Sequence, residues 1–582
     1  MHSLPTGTLD PSSYSVWIGL IYLFNLIVGN GALAMPKAFN DAGYLLGFVI
    51  LALSCFVSYI SATFVVEAMA AVNVLARKKD AFAAPLERQQ RVASNEDDAS
   101  DDEEAGGSGA ESRPLLSGDS ASNRPFYGDR RERTESMIGD QYGAMIRRRF
   151  EMSEMAAFYF GKTGVAIFEL VLALYLFGDM AIYLALVPKS LMTVVCSGNR
   201  NVACSALPSE HEMCFGGVNS AFLTRLSVYR IFMCLFVVTI GPFVFFNMTK
   251  TKYLQVFTTV SRWTALILMI SLSLRMLLMN GVAKPTPPLV NWSNFGSLFG
   301  VAVYSFMCHH SLPGVVTPIK QKAHLASSFI VVFLLILAFY STLALTGALA
   351  FGSLLRDVYT FNFFNNLCDE KTATTPVMTV IDYFLGLFPV MTLSSNFPVI
   401  GVTLKNNLKS MVLLLKEEEG EGEETADTAT TPVKRVRNVD ASDGGPLDRV
   451  DNNSDEDDDE GDDVELAAST GSRPGFCWRL STSALIPVVV VVVPFVIAFF
   501  ESNVEVLASV TGSYAGVGVQ YVLPAALVLA ARRRENRREM GESPFGSVLW
   551  PMLVFGWSIL TVCVVTGNHI VNWVGPLFAQ VG

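Results

Sequence analysis

Asn25-Leu26-Ile27-Val28-Gly29-Asn30-Gly31-Ala32-Leu33-Ala34-Met35-Pro36 lies inside the chain's first membrane-length hydrophobic segment. It sets two glycines, two asparagines and a proline where a plain anchor would carry leucine and valine. Hydrocarbon offers no partner for a backbone NH or CO, so a helix interrupted at that depth persists only where protein, water or a ligand takes up the freed groups. Interrupted helices of this kind mark the solute sites of secondary transporters. The competing reading is close helix packing on small residues.

Over 582 residues the chain is 51% hydrophobic and 16% charged, with a mean hydropathy of +0.40, well outside the range of a soluble domain. Segments of about 20 mostly apolar residues fall near 15–38, 44–68, 163–187, 228–247, 255–279, 294–319, 327–351, 377–403, 482–500, 504–531 and 546–568, which predicts an all-α membrane protein with eleven spans. The first segment runs into polar, loop-like sequence without a small-residue cleavage pattern, so it reads as a retained span.

The charge sits elsewhere. Residues 73–151 hold 13 Lys/Arg against 16 Asp/Glu and residues 409–480 hold 8 against 20, so these two segments carry more than the whole net charge of −11. Both are rich in Ser, Gly, Asp and Glu and poor in aromatics, which predicts disorder. The expected organisation is a tail over 1–14, spans over 15–72, an acidic loop over 73–152 and spans over 153–408 with a cysteine-bearing loop at 188–227. A second acidic loop over 409–480 and further spans over 481–582 complete it. No basic patch interleaved with aromatics supports a nucleic-acid partner.

A cytosolic N-terminus gathers about 31 Lys/Arg on the cytosolic side against about 6 opposite, as the positive-inside rule requires. The C-terminus then faces the lumen or exterior, together with Cys196, Cys204, Cys214 and Cys368, which allow two disulfides in three connectivities. The first acidic loop carries Glu111-Ser112-Arg113-Pro114-Leu115-Leu116. Glu111, Leu115 and Leu116 form an acidic dileucine pattern open to cytosolic adaptor proteins, which points to an endolysosomal address as against the plasma membrane.

The sixth segment is interrupted as the first is, reading Tyr304-Ser305-Phe306-Met307-Cys308-His309-His310-Ser311-Leu312-Pro313-Gly314. Two broken helices at matching positions in two groups of five, entering from opposite faces, are what a five-plus-five inverted repeat produces, with one helix left over at the C-terminal end. At these residues the chain resembles the amino acid/auxin permease family. Gly29-x-Gly31-x-Leu33 with Pro36-x-Ala38-Phe39 and Gly43 is similar to the family's first helix. Ser305-Phe306-x-Cys308-His309 with Leu312-Pro313 is similar to the sixth helix of its sodium-coupled neutral amino acid transporters, and Gly512-Ser513 with Leu523-Pro524 to the tenth. The resemblance covers all eleven spans and implies a LeuT-like fold with helices 1 and 6 broken, and secondary transport of amino acids. Where relatives often end the sixth helix on an acid, this chain has Thr317-Pro318-Ile319-Lys320.

The backbone at Gly29, Asn30 and Gly31 is the expected seat of a substrate carboxylate, because half-helix N-termini offer unpaired NH groups. Ser305, Phe306, Cys308, His309 and Tyr175 are the expected remainder of the pocket. Asn25 matches the position at which sodium-coupled relatives carry an asparagine ligand, and Thr392, Ser395 and Asn396 share one helix face as its companions for Na+. The alternative for these polar groups is bonding to neighbouring carbonyls. Asp179, deep in the third span, is a functional candidate for H+ or ion coupling, with His309, Arg262 and Arg275 as candidate partners. No Cys-x-x-Cys pair or phosphate-binding loop occurs, and His309 and His310 project to different helix faces, so no enzymatic constellation emerges and no cofactor is expected beyond Na+ or H+. The sequence therefore points to a bilayer-embedded transporter of small neutral amino acids. The alternative is a membrane sensor or scaffold that keeps the fold and uses its acidic loops to recruit partners.

Overall fold

A computed structural model describes residues 13–98, 146–196, 211–214, 223–245, 252–322, 324–363, 376–427, 476–534 and 543–579. The first interrupted segment forms α1 (Val16–Ile27) and α2 (Gly31–Ala42), with axes bent by 55°. There follow α3 (Tyr44–Asp98), the short α4 (Met152–Tyr159), α5 (Lys162–Val195), α6 (Arg225–Ile240) and α7 (Lys252–Asn280). The second interrupted segment forms α8 (Phe295–Ser305), a single 3-10 turn at His309–Ser311 and α9 (Leu312–Val316). Then come α10 (Leu325–Phe351), α11 (Pro376–Asp427), α12 (Phe476–Phe500), α13 (Val504–Thr511), π-helical turns at Gly512–Gly516 and Gly518–Val522, α14 (Leu523–Arg534) and α15 (Leu549–Ala579).

Among the described residues, eight helices are long and apolar enough to cross a membrane, or nine if α1 and α2 count as one bent span. The other two expected segments are present as shorter pieces: the broken α8–α9 pair, and Leu485–Phe500 within α12. Helix reaches into both acidic segments expected to be disordered, since α3 runs on to Asp98 and α11 to Asp427. Extending a formed helix costs only propagation, with no new nucleus. Residues 99–145 and 428–475 lie outside the described ones, Glu111, Leu115 and Leu116 among them.

Burial divides the bundle into centre and periphery. The apolar windows of α3 and α5 are 72% and 61% buried and form its interior, whereas those of α7 and α15 are 22% and 28% buried and present leucine, valine and isoleucine outward, as lipid-facing helices do.

The two broken spans run antiparallel and are tied together at both ends. At one face, ahead of α1, Tyr14 N donates to Pro318 O (3.0 Å), Lys320 N returns the bond to Tyr14 O (3.0 Å), and the Tyr14 hydroxyl reaches Val315 O (2.6 Å). At the other, Asn291 N donates to Ala42 O (2.8 Å), and the side-chain amides of Asn291 and Asn294 both donate to Asp41 O (3.0 and 3.1 Å). Gly43 makes the second tie sterically feasible. Its φ is +94°, and a Cβ there would come within 2.6 Å of Pro288 O, so only glycine fits.

Candidate functional site

The first break follows from its backbone bonds. Val28 N still reaches Phe24 O (2.9 Å), but Gly29 N turns back to Ile27 O (2.8 Å), and helix resumes only when Ala32 N and Leu33 N bond Gly29 O and Asn30 O (3.2 and 3.0 Å). The amides of Asn30 and Gly31 take no partner among the described residues, and they stand at the N-terminus of the twelve-residue α2. That end is a cradle for an anion by virtue of its free NH groups and the helix dipole.

The carbonyls of the break are occupied by the protein itself. Arg262, reaching in from α7, donates Nη1 to Asn25 O (2.9 Å) and Val28 O (3.2 Å). Tyr340, fully buried on α10, places its hydroxyl 2.9 Å from Ile27 O and 3.0 Å from Ser305 O, so one proton serves a carbonyl of either break. The breaks also touch directly, because a Cβ on Gly31 would lie 2.7 Å from Ser305 Cα.

Beside them lies a buried polar cluster. The Tyr304 hydroxyl donates to Asp179 Oδ1 (2.5 Å), and the Tyr175 ring lies 6.5 Å from that of Tyr304 and 5.4 Å from that of His310. Tyr183, one turn beyond Asp179, lies within electrostatic range of both Asp179 and Arg262 and faces the Asn30 side chain, which links the carboxylate to the first break. Phe306 is fully buried against Phe333 and Tyr340, with ring centroids 6.4 and 5.5 Å away. Thus Gly29, Asn30, Gly31, Ser305, Phe306, Tyr175 and Asp179 are brought together.

Other expected roles fall differently. Asp179 is partnered by Tyr304, and not by His309, Arg262 or Arg275. His309 Nε2 lies 3.1 Å from Ser58 O on α3, and its Nδ1 lies 3.9 Å from Cys308 Sγ. Of the expected Na+ ligands, Asn25 gives Nδ2 to Thr259 Oγ1 (3.1 Å) and keeps Oδ1 buried without a partner. The Thr392 and Ser395 hydroxyls donate to Phe388 O and Thr392 O of their own helix (3.0 and 2.9 Å), while Asn396 lies half-buried on the same helix. A guanidinium thus stands on two carbonyls of the first break, where a Na+ ion would otherwise bring the positive charge. Among the described residues no group of three or more His, Cys, Asp or Glu is arranged for a metal. Cys196 and Cys214 form a disulfide, whereas Cys204 and Cys368 lie outside the described residues.

Sequence reasoning missed Tyr304, Tyr183 and Tyr340, which read as ordinary apolar filler in a span. The one sequence signal for Arg262 is an arginine in the fifth apolar segment among Thr, Val and Ser, which points to Asp179 as its partner.

The family model described as transmembrane amino acid transporter protein matches residues 12–87 and 137–566. Transmembrane protein 104 of Mus musculus is 37% identical over 574 residues, covering 96% of this chain and 97% of its own length. The Transmembrane protein 104 homolog of Caenorhabditis briggsae is 36% identical over 587 residues, covering 99% and 100%. Among solved structures, the crystal structure of MhsT in complex with L-phenylalanine aligns with a TM-score of 0.43 at 12% identity, over 96% of this chain and 100% of that one.

Proposed function

The chain belongs to the transmembrane amino acid transporter family, and from that premise we propose that it is a secondary active transporter of small neutral amino acids, working by alternating access through eleven spans in a five-plus-five inverted repeat. The observation that carries the reading is the pair of free amides at Asn30 and Gly31, set at a helix N-terminus where two antiparallel broken spans meet. A substrate carboxylate takes those amides. Its ammonium group turns toward Asp179, which lies across Tyr183 from Asn30 and is the one acid of the cluster. A zwitterion thereby satisfies a helix end and a buried carboxylate at once, which neither a cation nor an anion alone does.

Coupling runs through H+. The positive charge that a Na+ ion would bring to the broken first helix is supplied by Arg262, and Asp179 is the group placed to take up and release a proton as the substrate's ammonium leaves and arrives. Uptake of radiolabelled amino acid into proteoliposomes tests the reading, with an imposed proton gradient and with choline in place of Na+. Gly31→Leu serves as the control, since its side chain drives into Ser305. Saturable binding without uptake or counterflow would replace transport by an amino acid sensor.

The N-terminus is assigned to the cytosol and the disulfide face to the lumen or exterior, where thiols oxidise. The Glu111, Leu115 and Leu116 pattern is assigned as an adaptor-read endolysosomal signal. Replacing both leucines with alanine shifts the protein to the cell surface on this reading, and an unaltered distribution in imaging overturns it.

A further inference from the structure

On the disulfide face, above the first break, the protein holds a half-open cavity of about 280 Å³ whose charged lining is Lys37, Lys189, Arg225, Arg356 and Asp357. Four cations face one acid, and the pairing inside the group is uneven. Lys189 Nζ holds Asp357 Oδ2 at 2.5 Å and also reaches Ser502 O (3.2 Å), while Lys37 Nζ holds Asp41 Oδ2 at 2.9 Å. Both carboxylates are therefore committed to lysines. Neither the Arg225 nor the Arg356 guanidinium makes an ion pair or hydrogen bond among the described residues. Glu212 lies near Arg225, but only the backbones of the two bond, with Arg225 N on Glu212 O at 2.9 Å.

The two arginines stand over an apolar floor formed by Leu355, Phe361 and Tyr229, all at most 2% exposed. Arg356 is half-buried, and its charge is disfavoured first by that burial and then by Arg225 close by. Two like charges held near each other over apolar surface leave a local field that an anion relieves, and guanidinium groups bind a carboxylate through paired N–H donors. The cavity lies outward of the break along α2, for Lys37 is six residues past Gly31, roughly 9 Å along the axis.

We infer that this vestibule binds a small organic carboxylate between Arg225 and Arg356. The site stands apart from the helix break, so it binds whether or not the chain transports.

Thermal shift of the purified full-length protein tests this, with potassium succinate, its neutral near-isostere succinamide, and potassium chloride as probes. Succinate stabilises the wild type saturably, while succinamide and chloride do not. Arg225→Gln and Arg356→Gln each weaken the succinate response by about tenfold or more, the loss of one charge-assisted paired contact. Arg356→Lys keeps the charge and loses the fork, and gives an intermediate response that reads out even where the glutamine variant folds poorly. Gly31→Leu leaves the response intact, which separates this site from the proposed transport site. Equal shifts from succinate and succinamide, a matching shift from chloride, survival of the response in both arginine variants, or its loss in Gly31→Leu would each overturn the inference.

Discussion

Replacing Arg262 with methionine tests whether the first break carries its own cation. The guanidinium makes two hydrogen bonds, at 2.9 and 3.2 Å, to carbonyls that have no helical partner. Bonds from a charged donor contribute about 1.5–3 kcal/mol each in soluble proteins and less between membrane helices, while methionine avoids burying a charge, so the net destabilisation should be about 2–4 kcal/mol. More telling is what the variant leaves behind. Asn25 O and Val28 O are released, and Asn25 Oδ1 already lies buried without a partner, so three hard oxygens on one turn of α1 and its break lack a donor. Na+ is a ligand for such a set, and at about ten times its dissociation constant it returns roughly 1.4 kcal/mol of stability. The wild type should show the same thermal transition, at one fixed scan rate, in sodium chloride and in choline chloride, whereas Arg262→Met should melt earlier and recover with Na+ alone. A wild-type protein that needs Na+ for stability or uptake refutes the reasoning. So does an Arg262→Met variant that is as stable as wild type and indifferent to Na+.

Three further outcomes follow from particular contacts. Asp179→Asn keeps the shape and the acceptor for Tyr304 but cannot exchange a proton, so the protein should fold and lose the acceleration of uptake by an imposed proton gradient; a retained gradient response excludes Asp179 from coupling. Glu67 and Arg532 join α3 to α14 through two 2.7 Å bonds with side chains only 6% and 3% exposed, so Glu67→Ala, which strands the guanidinium, should cost about 3–5 kcal/mol in denaturation. Lys322, which donates to Ile146 O at 2.9 Å, is pushed by burial down to about 8. A lysine whose folded value lies below its unfolded one penalises the fold in full at lower pH and ceases to as pH rises past about 8, so thermal stability should climb between about pH 8 and 10. Lys322→Met should flatten that climb.

The two breaks were legible because glycine, asparagine and proline have no role in a hydrophobic helix other than interrupting it or letting something approach. Gly31 does both, ending one helix and admitting Ser305. What occupies the freed carbonyls was not legible, since that depends on which spans lie side by side. Tyr340 is separated from Ile27 by more than three hundred residues, and in a span it reads as bulk. Helical spacing placed Thr392, Ser395 and Asn396 on one face, but spacing says nothing about rotamers. A hydroxyl in a membrane helix that can reach a carbonyl one turn back has a partner already, and Thr392 and Ser395 both take it. The cysteine count left three connectivities open, and among the described residues the bond formed is Cys196–Cys214.

The proposed cycle also follows from how charge is layered along the bundle. On the disulfide face, Lys189–Asp357 ties the end of α5 to the connector that follows α10. At the opposite face, Glu67 and Arg532 close α3 against α14, and Arg532 adds bonds to Phe545 O and Ser547 O (both 2.9 Å). Between them, Arg262 and Tyr340 stitch the broken helices with bonds that need no solute. An alternating-access protein must open the outer and inner layers in turn without losing the middle. A middle layer built from the protein's own cation and hydroxyl keeps its partners through both openings, whereas one that depended on Na+ would fall apart whenever the ion left. On this logic the substrate and the Asp179 proton are the mobile charges of the cycle, and the positive charge at the first break is the fixed one.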